Sequence, residues 1–244
     1  MKVLNADLHI HTCLSPCADL DMNPRSIVER SLEVGMDFIA VCDHNSAENV
    51  GAVIKEGLKR GINVIPGMEI NSKEEVHILS LFDTEDQVME MQDVVYENLH
   101  GSNRPDFFGD QVIVNELNEV ESFNDRLLIG ATLLTLDEIV SEVHRLQGLC
   151  IASHVDRPSY SIISQLGFVP QDLALDALEV SHHMDMNKLI DEVPDSERFP
   201  VVRSSDAHFL RDIGSSFTSF YIETPGLDEI RKAFHGQSGR RVIN

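Results

Sequence analysis

From the N-terminus to about residue 82, short apolar runs alternate with amphipathic stretches, the rhythm of βα units rather than of a helical bundle or a sandwich. Residues 3–9 read as a strand. Asn23 and Pro24 then supply an N-cap and a first-turn proline, Ile27, Val28, Leu32 and Met36 share one helical face, and Gly35 sits where that helix can end. Residues 38–42 are apolar throughout, as a strand buried on both faces requires, and residues 47–60 form a second helical stretch closed by Gly61. A third strand starts at residues 62–66. A fourth, residues 76–82, follows a short polar turn at residues 72–75 that reads as a hairpin or bulge.

The pattern then changes. Residues 84–99 predict a long acidic helix, residues 101–109 a loop containing Gly, Asn and Pro, and the stretch beyond it a further helical piece. Residues 84–135 therefore read as a mainly helical insertion or cap within a single domain spanning residues 1–244. Alternation resumes with a helix at 136–146, strands at 149–154, 177–181, 201–206 and 217–222, and a final helix at 227–234. The predicted class is α/β.

Charge narrows the choice of partner. With 19 Lys and Arg against 41 Asp and Glu, the formal charge is −22. Such a surface repels phosphodiester backbones and anionic lipid, which argues against a long nucleic-acid track or a membrane partner but leaves room for a local cationic site. The most apolar window, residues 127–136, is broken by Thr132 and Thr135 and falls far short of the roughly 20 residues that cross a bilayer. The first residues carry no secretory signal pattern, and four cysteines (Cys13, Cys17, Cys42 and Cys150) do not make a disulfide framework, so a soluble, cytoplasmic protein is expected.

The chemistry lies in where the histidines and acids fall. His9 and His11, Asp43 and His44, Glu69, His77, His154, and Asp206 and His208 each stand at or near the C-terminal end of a predicted strand, the edge at which α/β folds collect ligands. Alternate residues on a strand point the same way, so His9 and His11 can put two imidazoles on one metal ion, and Asp206 with His208 repeats that geometry. Asp7 and Asp43 are candidates to orient the ligating rings from behind. Imidazoles and carboxylates without a thiolate cluster suit Zn, Mn or Fe rather than Ca or an iron–sulfur centre.

Taken in order, these residues resemble the motifs of the PHP superfamily, named for polymerase and histidinol phosphatase. DLHIHTCLS at residues 7–15 is similar to the first motif, VCDHNS at 41–46 to the second, the stretch from Glu69 to His77 and ASHVDRP at 152–158 to the middle motifs, and SSDAH at 204–208 to the last. The resemblance implies a distorted (β/α)7 barrel with three divalent ions at its C-terminal mouth. His9, His11, Glu69 and Asp206 would hold one ion, and Glu69 would bridge to a second bound by His77 and His154. The third would take His44, His208 and a residue after the first motif. At that last position, where the family commonly has Asp, Glu or His, this chain has Pro16 and Cys17; Asp19, the nearest carboxylate, is the expected ligand in preference to Cys17. Arg157, three residues after His154, matches the arginine that meets substrate phosphate in the family, and Arg211 is a second candidate. His182 and His183 are expected at the rim.

The activity so implied is hydrolysis of a phosphomonoester or nucleotide phosphoester by a hydroxide bridging the metals, on a small phosphorylated substrate or a short oligonucleotide end. The alternatives are a 5'-3' exonuclease-type phosphodiesterase, an amidohydrolase-like attack on a C–N or lactone bond, and a non-catalytic metal-binding regulatory module. Amidohydrolase-like barrels typically bridge their metals with a lysine, whereas Glu69 takes that role here.

Overall fold

The computed structural model describes residues 1–243. The chain runs β1 (Lys2–Ile10), α1 (Pro24–Glu33), β2 (Phe38–Val41), α2 (Val50–Arg60), β3 (Asn63–Asn71), β4 (His77–Leu81), α3 (Glu85–Asn98), α4 (Pro105–Phe108), β5 (Val112–Val114) and β6 (Val120–Phe123). It continues with α5 (Leu136–Arg145), β7 (Leu149–Ala152), α6 (Ile162–Leu166), β8 (Ala177–Val180), α7 (Leu189–Glu192), β9 (Val201–Arg203), β10 (Thr218–Ile222), α8 (Leu227–Phe234) and β11 (Arg241–Ile243).

Nine strands form one sheet in the order β11-β10-β1-β2-β3-β4-β7-β8-β9. An isolated parallel bridge between Ile10 and Ala207 ties the end of β1 to the segment after β9, with His11 N donating to Ala207 O at 3.0 Å and Ala207 N to His9 O at 3.2 Å. Seven strands thus nearly close into a barrel, while β10 and β11 extend antiparallel from the outer half of β1. The barrel is distorted because β4 runs antiparallel to both β3 and β7.

Period-two alternation explains both the core and the site. On β2, Phe38 and Ala40, followed by Cys42, join one apolar cluster with Ile65, Leu79, Leu81, Leu149, Ile151 and Ala177, whereas Ile39 and Val41 join the cluster under the helices. Followed along the strands, the first set turns polar at one end of the barrel. Cys42 leads to His44, Ile65 and Gly67 to Glu69, Ala177 to Glu179, and Leu81 and Leu79 back along β4 to His77. A Cβ on Gly67 would lie 2.6 Å from Cys42 Sγ and 2.9 Å from Leu81 Cδ2, so glycine is what lets β3 pass at this level. On β1 the pairing register with β2 shifts between Asp7 and Ile10, and across that irregularity His9 and His11 come to face the site.

Three expectations change. His77 opens its strand instead of ending it; because β4 is antiparallel, its first residue lies at the same barrel edge as the C-terminal ends of its neighbours. The third strand runs on to Asn71, which places Glu69 within it. The part of the insertion expected to be helical after residue 109 is the hairpin β5–β6: Val112, Ile113 and Val114 are β-branched, and Asn115 turns the chain by accepting the amides of Leu117 and Glu119. The segment before it keeps its helix, with Thr84 and Gln87 forming a capping box on α3.

Candidate metal centre

The polar ends of the lumen-facing positions converge on Glu69, which is 1% exposed. Glu69 Oε1 lies 3.0 Å from His77 Nδ1, 3.2 Å from His154 Nε2 and 3.4 Å from His9 Nε2. Its Oε2 lies 3.0 Å from His44 Nδ1 and 3.6 Å from His11 Nε2. Asp206 Oδ1 stands 3.0 Å from His11 Nε2 and 3.4 Å from His9 Nε2. Three donor sets have all their ligand atoms within 4.8 Å of one another: His9, His11, Glu69 and Asp206; His44, Glu69 and His77; and His11, His44 and His208. His154 and Asp206 hold positive φ values, 31° and 50°, in the left-handed region that costs a non-glycine residue on the order of 1–3 kcal/mol.

The donor chemistry fits divalent cations. The Nδ1 atoms of His44, His77 and His154 are buried without a hydrogen-bond partner, although those of His44 and His77 are at contact distance from Glu69. A buried polar atom left unsatisfied costs roughly 1–3 kcal/mol, and an ion between carboxylate and rings would satisfy such nitrogens. His9 Nε2 and His11 Nε2 are also only 3.1 Å apart. The all-nitrogen and oxygen sets suit Zn, Mn or Fe.

Protonation follows the same crowding. Burial disfavours charge on His9, but Glu179, Glu69 and Asp206 outweigh it and hold the ring well above its usual range. Burial and the neighbouring His208 and His44 push His11 well below. Against burial, His77 and His9 hold Glu69, and His9 and His11 hold Asp206, well below the usual carboxylate range.

The supporting residues differ in part from those expected. Glu179 in β8, which the strand-end survey missed, holds His9 Nδ1 at 3.0 Å and accepts the His154 amide at 3.0 Å. Its signal was a carboxylate inside the apolar run ALEV. Asp7 meets no imidazole nitrogen among the described residues; it accepts the backbone amides of Ser205 and Gly214, fastening the segment that carries Asp206 to β1. Burial, opposed by those hydrogen bonds, raises its pKa to about 6. Asp43 acts through Ser15: the Ser15 hydroxyl donates to Asp43 at 2.6 Å and lies 3.0 Å from His11 Nδ1.

Asp19 belongs to none of the donor sets among the described residues. Its Oδ1 instead accepts the Asp21 amide in the turn that follows, and its own amide donates to His208 O. Cys17 is the residue of this loop that meets the rings; against burial, His44 and a hydrogen bond from His208 lower its thiol to about 6. Arg157 Nη1 donates to Asp206 Oδ2, and the side chain lines the cavity with His77, His154, Ile129 and Tyr160. Arg211 is not in that cavity; its side chain is 77% exposed, pairs with Asp212 and lies over the Phe209 ring. His182 lines a neighbouring cavity.

Residues 128–130 complete one wall. Asn45, directly after His44, donates to the carbonyls of Leu128 and Gly130, both at 2.8 Å, and accepts the Asn71 amide. This clamp sets Ile129 against the cavity.

A family model described as the PHP domain matches residues 7–165, and one described as PHP-associated matches residues 186–237. The uncharacterised protein YqxK of Bacillus subtilis is 23% identical over 279 residues, covering 100% of this chain and 65% of the relative. The 5'-3' exoribonuclease Rnm of Salmonella typhimurium is 34% identical over 80 residues, 31% of this chain and 26% of the relative. Among solved structures, the lesion-specific endonuclease PfuEndoQ of Pyrococcus furiosus superposes with a TM-score of 0.77 at 24% identity, over 99% of this chain and 58% of that one. A putative metal-dependent phosphoesterase from Bifidobacterium adolescentis gives 0.57 at 17% identity, over 83% of this chain and 87% of that one. The chain thus spans less than two thirds of the length of YqxK and of the endonuclease. The donors from His9 to His154 fall in the first matched segment and Asp206 and His208 in the second, and the chain belongs to the PHP family.

Proposed function

We propose that this protein is a metal-dependent phosphoester hydrolase. The observation that carries the reading is the convergence of His9, His11 and Asp206 on Glu69, beside buried His44 and His77 nitrogens that have no hydrogen-bond partner. Up to three ions fit the donor sets: one on His9, His11, Glu69 and Asp206; one on Glu69 with His77, His154 and His44; and one on His44, His11 and His208 next to Cys17. Bound divalent ions would supply Lewis acidity, activating water and neutralising charge on phosphoryl oxygens.

The chain's own residues do the positioning. Glu179 fixes the His9 ring, Ser15 the His11 ring, and the Arg157 guanidinium reaches the cavity with donors beyond the one spent on Asp206. Guanidinium matches phosphate oxygens in pairs, so Arg157 orients the ester in the cavity it lines. This local positive charge draws an anionic substrate to a protein of charge −22.

Among phosphoesters, a nucleic-acid end is favoured over a free metabolite. Rnm is named an exoribonuclease, and an endonuclease Q structure with a TM-score of 0.76 holds a 27-mer duplex with an abasic lesion at its active site. The test is turnover of p-nitrophenyl phosphate and of short oligonucleotides by protein loaded in turn with Mn, Zn and Fe. Asp206→Ala should lower both rates at least about 100-fold and reduce bound metal. Full metal occupancy without turnover of any phosphoester would mark a regulatory module, and turnover of amides or lactones alone an amidohydrolase; either overturns the reading.

A further inference from the structure

The catalytic cavity is one of two that share a ridge. Arg157, Asp206 and His208 line both. On one side the cavity of about 170 Å³ is walled by His77, Ile129, Ser159 and Tyr160. On the other a cavity of about 410 Å³ is walled by Cys17, His182, Phe209 and Ser215. Each side presents an aromatic ring to solvent: Tyr160 is 44% and Phe209 38% exposed.

Both rings are braced. Tyr160 stacks on His77 with centroids 4.8 Å apart, and its carbonyl accepts the His77 amide, which holds it at a φ of 55°. The guanidinium of Arg211 lies 4.6 Å from the Phe209 centroid, which leaves the opposite face for the cavity. A phosphate seated against Arg157 on the ridge has one cavity on either side of it. A monoester fills one of them and leaves the other to water. A diester with a nucleoside on each oxygen fills both, and each base finds a ring on which to stack.

Resting on the phosphoester reading, we propose that the substrate is a phosphodiester flanked by two nucleosides, with Tyr160 and Phe209 as the base platforms. In the reaction the oxygen of water forms a new bond to phosphorus, the bond to one ester oxygen breaks, and that oxygen leaves carrying a proton. Stacking adds affinity without reading sequence, so the site accepts different bases.

The experiment compares uridylyl-uridine and thymidylyl-thymidine with glycerol 2-phosphate on the metal-loaded full chain. The wild type should show at least a tenfold higher kcat/KM for a dinucleoside than for glycerol 2-phosphate. Phe209→Ala should raise KM for the dinucleoside about tenfold or more and lower kcat/KM for glycerol 2-phosphate less than threefold, with Phe209→Tyr restoring the dinucleoside KM. Equal losses on both substrates, or a wild type with no preference for the diester, would overturn the two-sided cleft while leaving the hydrolase reading standing. Hydrolysis of neither ester overturns both.

Discussion

Glu179 shows how much of the site rests on one side chain that touches the outer atoms of the ligand rings. It holds His9 by Nδ1, leaving Nε2 for the cluster, and pins the His154 backbone through the amide. Carboxylates behind a ligating imidazole set its tautomer and basicity, and their loss typically costs about 10- to 100-fold in metal affinity. Glu179→Gln should therefore weaken binding by that order in competition with a chromophoric chelator, with the far-UV spectrum unchanged; an affinity equal to wild type would show that His9 needs no such support. The residues that converge here were legible because histidines and acids stood where buried strands call for apolar residues. Glu179 obeyed the same rule, but it falls outside every motif of the resemblance, and His182 and His183 after it drew the eye to the rim instead. Asp19 and Asp7 instead accept backbone amides, because loop and bulge geometry, not distance along the chain, decides which way a carboxylate faces.

At the scale of elements, the clearest predictions of periodicity concerned the strands and the capped helices, where propensity, caps and burial agree. The hairpin β5–β6 was missed because β6 is exposed and shows no apolar alternation. Strand β11 is also short and half-open, and α8 is what secures it. Glu229 on α8 is 7% exposed; it accepts the Glu223 amide at the end of β10 and pairs with Arg240 before β11 and with Lys232. Arg240, against the opposing effect of burial and helped by the Glu223 amide and Lys232, lowers the carboxyl from 4.5 to about 2. Between those two values the unfolded chain binds more protons than the folded one, so this contribution to stability is complete above pH about 4.5 and is lost as pH falls toward about 2. Glu229→Gln should cost about 2 kcal/mol at pH 7 in urea unfolding, and the difference from wild type should shrink on acidification below pH about 4.5. A deficit that stayed constant with pH would assign the cost to packing instead of charge.

Over the whole molecule, a nearly closed barrel has apolar packing at its lower levels and, at its upper level, clustered donors able to hold cations. No helix among the described residues is long and apolar enough to cross a membrane. Barrel closure itself runs through the site, since the Ile10 to Ala207 bridge joins the strand of His9 and His11 to the segment of Asp206 and His208. Metal bound there would be coupled to barrel closure, and the proposed function stands on the cations. The most direct measurement is metal stoichiometry by elemental analysis of protein purified without chelator from cells supplied with Mn, Fe and Zn, alongside the double variant His9→Ala/Asp206→Ala. At least two equivalents per wild-type chain and a clear loss in the variant are predicted from the shared donor sets. Less than one equivalent in both proteins would contradict the metal cluster and leave only the family fold.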